Sequence, residues 1–525
     1  MMGTAWPPPE LADVFAQQDI WSAWYAGTPE GLTDAYLNAP NDRPAARRKG
    51  LLARLGRWFW GQPTPMGERP SKLHVPLAGA IAAVSANLLF GAPLNLTVDD
   101  AATQERLDQL ADDTTYAVLR EAAEMSAALG GVYLRVVWDQ SIQDKPWLVA
   151  ASPDIAVPEW KWGRLSAVTF WNVIREDANT VVRQLERHEP GWIRHSVWIG
   201  SANELGVQMA LTDFPETAGL ADLVIDGDGI PTGTPKLTAQ YIPNLKPNKL
   251  WRHLPAAANL GRSDFSGVEA LMDALDEAYS DWMRDLRTGK ARLLVGTEVL
   301  ENLGKGQGAH FDIDRELFAP LNLEPGEDKG SVIEQVQFNI RTEEHRALCA
   351  DLAERIILGA GYSLQTFGVT SEGSGNPTAT EIAARERQSL TTRANKTSYW
   401  RPALAHLFGV LLEIDRTVFR SQVVPQIPDV EFPDVVTPDP GETARQLNDL
   451  NTAGAISTYE KVRRLNPDWR DEQVLEEVAR IKADQAEAKP QPTHPARAQE
   501  PAGQPEKSPE GSQVNEDVSE PLVAR

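Results

Sequence analysis

The chain has 525 residues, enough for roughly two to four compact domains with a large core. Its formal charge of −23 excludes tight nonspecific DNA binding as the job of the whole surface, since such binding needs cations that displace counterions from phosphate. A single cysteine, Cys349, excludes an internal disulfide framework, and no apolar run approaches the ~18 residues of a membrane span.

Residues 1–70 mix helical stretches with Pro and Gly breaks, and carry the basic run "RPAARRKGLLARLGR" at 43–57. The start, "MMGTAWPPPELADVF", has neither the basic nor the apolar region of a secretory signal, so secretion by that route is not expected. Next, "KLHVPLAGAIAAVSANLLF" (72–90) predicts a buried helix that starts after Pro76 and stops at "GAP". One helix is predicted across 102–129. Short strands with turn signals then run to about 245 and predict a mostly antiparallel region. Tryptophans in runs such as "GWIRHSVWIG" read as packing residues.

Helices dominate 265–288, 341–360 and 378–415. Three short ones fit 441–453, 458–465 and 470–485. The tail 486–525 is proline-rich and poor in large apolar residues, the composition of a disordered segment.

Catalytic patterns are not evident. "GKGQG" (304–308) and "GEDKGS" (326–331) lack the spacing of a phosphate loop, and "IDGDGI" (225–230) lacks the later ligands of a calcium loop. His188 and His195 lie on adjoining strand-like runs, where satisfied or surface histidines are the ordinary reading. No metal, catalytic residue or cofactor is called for.

Two helices are unusual. In 266–288, Val268, Leu271, Met272, Leu275, Tyr279, Trp282 and Leu286 form an apolar stripe. Opposite it Glu269, Asp273, Glu277, Asp281 and Asp285 recur every fourth position, a like-charge spacing that destabilises an isolated helix. A solvated face explains it, and so does a ridge facing a polyanion that must not stick. In 378–398, a capping box from Thr378 to Glu381 starts a helix whose large apolar residues are Ile382 and Leu390 alone. Arg385, Arg387, Arg393 and Lys396 are spread over its faces, and Pro402 predicts a kink. With little to bury at home, this helix is expected to pack against its copy in a neighbouring subunit.

The runs "KLHVPLAGAIAAVSANLLFGAP", "YIPNLKPNKLWRHLPAAANLGRSDFSGVEALMDALDEAYSDWMRDLRTGKARLLV", "SGNPTATEIAARERQSLTTRANKTSYWRPAL" and "TAGAISTYEKVRRLNPDWRDEQVLEEVARI" resemble, in that order, segments of tailed-bacteriophage portal proteins. The resemblance covers about 70–485. It implies an α+β fold with a β-rich wing, helical stem, small α/β clip, long kinked tunnel helix and helical crown. Residues 1–70, an N-terminal extension, match nothing in the family; carried over, 71–260 is the wing, joined by 400–436. The stem helices are 261–291 and 341–365, with the clip at 292–340 between them. The tunnel loop is 366–377, the tunnel helix 378–415, the crown 437–485 and the tail 486–525.

The same resemblance implies a non-enzymatic ring, usually of twelve copies, at one capsid vertex of the virion, assembled in the host cytoplasm. Its partners would be itself, the terminase large subunit, major capsid and scaffolding proteins, head–tail connector or adaptor proteins, and double-stranded DNA passing through the channel, with no membrane. The tunnel-loop residues Val369, Thr370, Ser371, Glu372, Gly373, Ser374, Gly375 and Asn376 would meet DNA, and the five acids of the ridge would line the channel. Glu381, Arg385, Arg387, Arg393 and Lys396 would contact neighbouring subunits. Lys305, Asp312, Asp314 and Arg315 would lie near the docked terminase. The rival readings are a packaging nuclease or ATPase, or another ring-forming tail or connector component.

Overall fold

The computed structural model describes residues 5–38, 73–225, 229–288, 292–295, 301–302, 309–310, 333–336, 341–368, 379–433, 440–466, 469 and 471–487. The tunnel-loop residues 369–376, the docking residues Lys305, Asp312, Asp314 and Arg315, and the basic run at 43–57 lie outside them. The chain divides into two compact units, Met1–Thr437 and Pro438–Arg525.

The first unit begins with α1 (Ala12–Ala26) and α2 (Pro29–Asn38). Helix α1 stops at Gly27, whose φ of 68° an L side chain rarely adopts. Helix α3 (Leu77–Phe90) is apolar along most of its length and buries Ala78, Ile81, Ala82, Ser85, Ala86, Leu89 and Phe90. Strand β1 (Asn95–Thr97) follows, then α4 (Ala101–Leu110) and α5 (Asp113–Leu129). The single helix expected over 102–129 is thus two. Asp112 breaks it: its carboxylate caps α5 by accepting from Thr115 N, and Lys145 Nζ pins it at 2.6 Å.

Strands β2 (Gly131–Val137) and β3 (Trp147–Ala151) form a three-stranded antiparallel sheet with β10 (Ala239–Pro243), in the order β10-β2-β3. Strands β4 (Ala156–Lys161), β5 (Arg164–Glu176), β6 (Val181–Glu189), β7 (Trp192–Ser201) and β8 (Glu204–Met209) make an antiparallel meander. After the short helix α6 (Pro215–Ala221), β9 (Gly229–Pro231) returns to pair with β7.

Two long helices then run side by side: α7 (Glu269–Thr288) and α8 (Thr342–Gly359). Between them β11 (Arg292–Val295), β12 (Glu301–Asn302), β13 (Ala309–His310) and β14 (Ile333–Val336) pair as β11 with β14 and β12 with β13. Helix α9 (Ala379–Thr417) is continuous through Pro402, and β15 (Asp429–Glu431) pairs back to β1.

Two cores share α3 and β2. In β2 the period-two alternation sends Tyr133 into one core and Val132, Leu134 and Val136 into the other. The first core joins α1, α2, the start of α7 and the end of α8. The second is built on Trp400, Leu404, Leu407, Phe408, Leu411 and Ile414 of α9. The N-terminal helices, to which the sequence assigned no role, are therefore interior: Val14, Trp21, Trp24 and Leu32 are fully buried.

In the second unit, α10 (Pro440–Thr452), α11 (Thr458–Leu465) and α12 (Asp471–Glu487) match the three expected short helices within two residues. Val462, Val474 and Val478 pack with Tyr459 and Ile481 between α11 and α12.

Candidate functional site

Among the described residues no group of three or more His, Cys, Asp and Glu could hold a metal ion. His188 and His195 do converge, on Glu186. Glu186 stands opposite His195 in the β6–β7 register. His188 bridges Thr238 Oγ1 and Glu186 Oε1, each at 2.7 Å, and Arg135 of the smaller sheet donates to Glu186 at 2.6 Å. Burial alone would raise the carboxyl, but the His188 hydrogen bond and the Arg135 charge outweigh it and bring Glu186 down to about 2. Burial pushes His195 below its ordinary value. The group contains no nucleophile, and it ties one sheet to the other.

The acidic ridge of α7 is not one continuous solvated face. Asp273 is fully buried. Glu269 accepts from Trp21 Nε1 at 3.2 Å and from the Gly267 amide, so it anchors α1. Asp285 takes His345 Nε2 of α8 at 2.8 Å and Arg341, just before that helix, at 3.3 Å, and the His345 bond holds its carboxyl low. Glu277 and Asp281 are the exposed members. The buried Asp276 was missed by the ridge pattern: its carboxylate takes His74 Nδ1 and Val75 N, each at 2.9 Å. The signal was present, since an Asp four residues after Met272 and three before Tyr279 falls on the apolar side of the helix.

Along α7 and α8 the pairing is antiparallel. Val268, just before α7, meets Gly359 at one end, and Trp282 stacks on His345 near the other. Met283 and Leu286 of α7 and Leu348 and Leu358 of α8 remain exposed.

The polar part of α9 also differs from expectation. Its polar side holds the end of α8 and the segment that follows. Gln388 donates to Leu358 O, Ser389 Oγ accepts from Ser363 N at 2.8 Å, and Thr392 donates to Gly361 O at 2.6 Å. One turn on, Lys396 Nζ reaches Asp264 Oδ2 at 2.6 Å, Ser85 Oγ at 2.5 Å and Tyr362 OH at 3.0 Å. Lys396 is fully buried and belongs to the interior of its own subunit, which removes it from the inter-subunit set. Arg393 donates to the carbonyls of Leu88 and Pro433 of the same chain. Arg387 is exposed, whereas the side chains of Glu381 and Arg385 lie outside the described residues. The helix needs little apolar surface because it buries hydrogen-bonding side chains against backbone that would otherwise be unsatisfied.

Residues 248–491, from the approach to α7 past the end of α12, match the family model described as phage portal protein, SPP1 Gp6-like. The match supports a tailed-phage portal protein, a bacteriophage component of the capsid vertex and its genome-packaging channel, from a structural rather than catalytic family. No curated protein matches the chain.

Proposed function

Taking the chain as a tailed-phage portal protein, we propose that it forms a homo-oligomeric ring at one capsid vertex, through which DNA enters and leaves the head. The observation that carries this reading is the α7–α8 pair: two antiparallel helices rooted in the core, joined through small paired strands, with exposed apolar residues along them. Met283, Leu286, Leu348 and Leu358 have no cover within the described chain, and neighbouring copies in a ring would supply it.

On this reading α7 and α8 are the stem and 292–340 the clip, where Lys305, Asp312, Asp314 and Arg315 meet the terminase and later the connector proteins. Contact with DNA is assigned to residues 369–376. Glu277 and Asp281, exposed on α7, keep the wall anionic, so that the duplex slides without the counterion release that would grip it. Arg387 remains available for a neighbouring subunit. Capsid and scaffolding proteins meet the outer surface of the ring. Among the described residues no helix is long and apolar enough to cross a membrane.

Electron microscopy of the purified full chain tests the proposal. Rings with a central hole are expected. Monomers alone, under conditions that favour assembly and at several concentrations, would refute it.

A further inference from the structure

The hairpin joining β4 to β5 breaks three local rules at one point. Its two-residue turn is Trp162-Gly163, both with positive φ (51° and 77°), as a type I′ turn requires. Asn or Asp ordinarily fills the first position, and a bulky aromatic there is a conformational outlier. The Trp162 side chain is fully exposed. Behind it Lys161 stands directly opposite Arg164 in the register, and like charges so placed repel. The nearest carboxylate on the strand, Glu159, is engaged by Arg187. Lys161 feels the Glu159 charge, but among the described residues nothing covers Trp162, and such local conflicts gather at functional positions.

We infer that the 161–164 tip is an inter-subunit contact, its indole and two cations seated on an acidic surface of a second copy of this chain. The inference rests on the ring reading. Charge complementarity supports the occupant: the tip is locally cationic while each copy carries a formal −23. Trp160 and Leu165, the pair behind Lys161 and Arg164, pack against the first core, so the tip is carried on an anchored hairpin. Two cations on an acidic chain are too few to hold duplex DNA at physiological salt.

The test uses the full chain with a photoreactive phenylalanine analogue at position 162, together with Trp162→Asn and the pair Lys161→Glu with Arg164→Glu. Irradiation of assembled protein should link position 162 to an acidic segment of a second copy. Trp162→Asn should leave the thermal midpoint of the unassembled chain unchanged or higher, because Asn tolerates the left-handed turn. It should raise the concentration for half-assembly at least about tenfold, as loss of a buried interfacial indole does. The charge reversal should act in the same direction, more strongly at low salt. Links only to DNA or to another protein, or unchanged assembly of both variants, would overturn the inference while leaving the ring intact. A wild-type chain that forms no ring would overturn the ring reading itself.

Discussion

Lys396→Met is the most informative single perturbation of the fold. Lys396 Nζ spends its three protons on Asp264, Ser85 and Tyr362, and both charged partners are at most 1% exposed, so solvent screening does not weaken the pair. Asp264 also accepts from Tyr362 OH at 2.7 Å and from Asn244 Nδ2 at 2.8 Å. Removing the ammonium leaves a carboxylate in the core with two neutral donors, and breaking a buried pair from one side costs about 3–5 kcal/mol. Burial nevertheless pushes the lysine below its ordinary pKa against the pull of Asp264. The pair therefore contributes position more than net energy. Lys396→Met combined with Asp264→Asn should be less destabilised than the sum of the two single variants, by about 1–3 kcal/mol of coupling. The assay is urea unfolding of the single and double variants, with hydrogen exchange read over 359–368, where protection should fall in the single variant. A single-variant cost below about 1 kcal/mol, or strictly additive singles, would refute the assignment of Lys396 as the buried pin of this junction.

Glu186→Gln should be destabilised at pH 7. Because folding lowers the Glu186 pKa from an ordinary 4.5 to about 2, the wild-type advantage is complete above pH ~5 and should fade as pH drops through that window, a convergence that thermal melts from pH 7 to 3 would register. Trp21→Phe keeps the packing but loses the bond to Glu269, at a cost of about 1 kcal/mol by urea titration, whereas Trp21→Ala should cost about 3–5 kcal/mol. Equal effects would place the stabilisation elsewhere. Glu277→Lys with Asp281→Lys should leave rings assembled but shorten the DNA packaged per head, most at low salt; unchanged packaging would move these residues off the channel wall. Asp273→Lys cannot serve in that experiment, because it would insert a second buried cation and unfold the root of α7.

Periodicity made the elements readable where each residue's fate depends on near neighbours. The helix at 458–465 is bounded as expected because Ser457 caps it from within the same turn. The break at Asp112 was hidden because half its cause, Lys145, lies 33 positions away. The polar helix α9 was misread for the same reason. Its residues face Ser85, Asp264 and the 358–366 segment, and composition alone cannot distinguish a side chain awaiting another subunit from one awaiting a distant backbone amide. On α7, charge spacing revealed a pattern, but burial separated Asp273, Asp276 and Glu269 from the exposed Glu277 and Asp281.

The pairing of β1 with β15 has a consequence for biosynthesis. Asn95 meets Glu431, 336 positions later, and Arg106 closes on Asp415. The second core takes Trp400, Leu404, Leu407, Phe408, Val410, Leu411 and Ile414 from residues 400–414. A chain leaving the ribosome N-terminus first must carry α3 and β2 without that cover for roughly half a minute, at about 10 residues per second. Their apolar faces are open to chaperones, and to aggregation, throughout that interval. A chain truncated before residue 400 lacks the helix that covers the second core and should stay open to that fate.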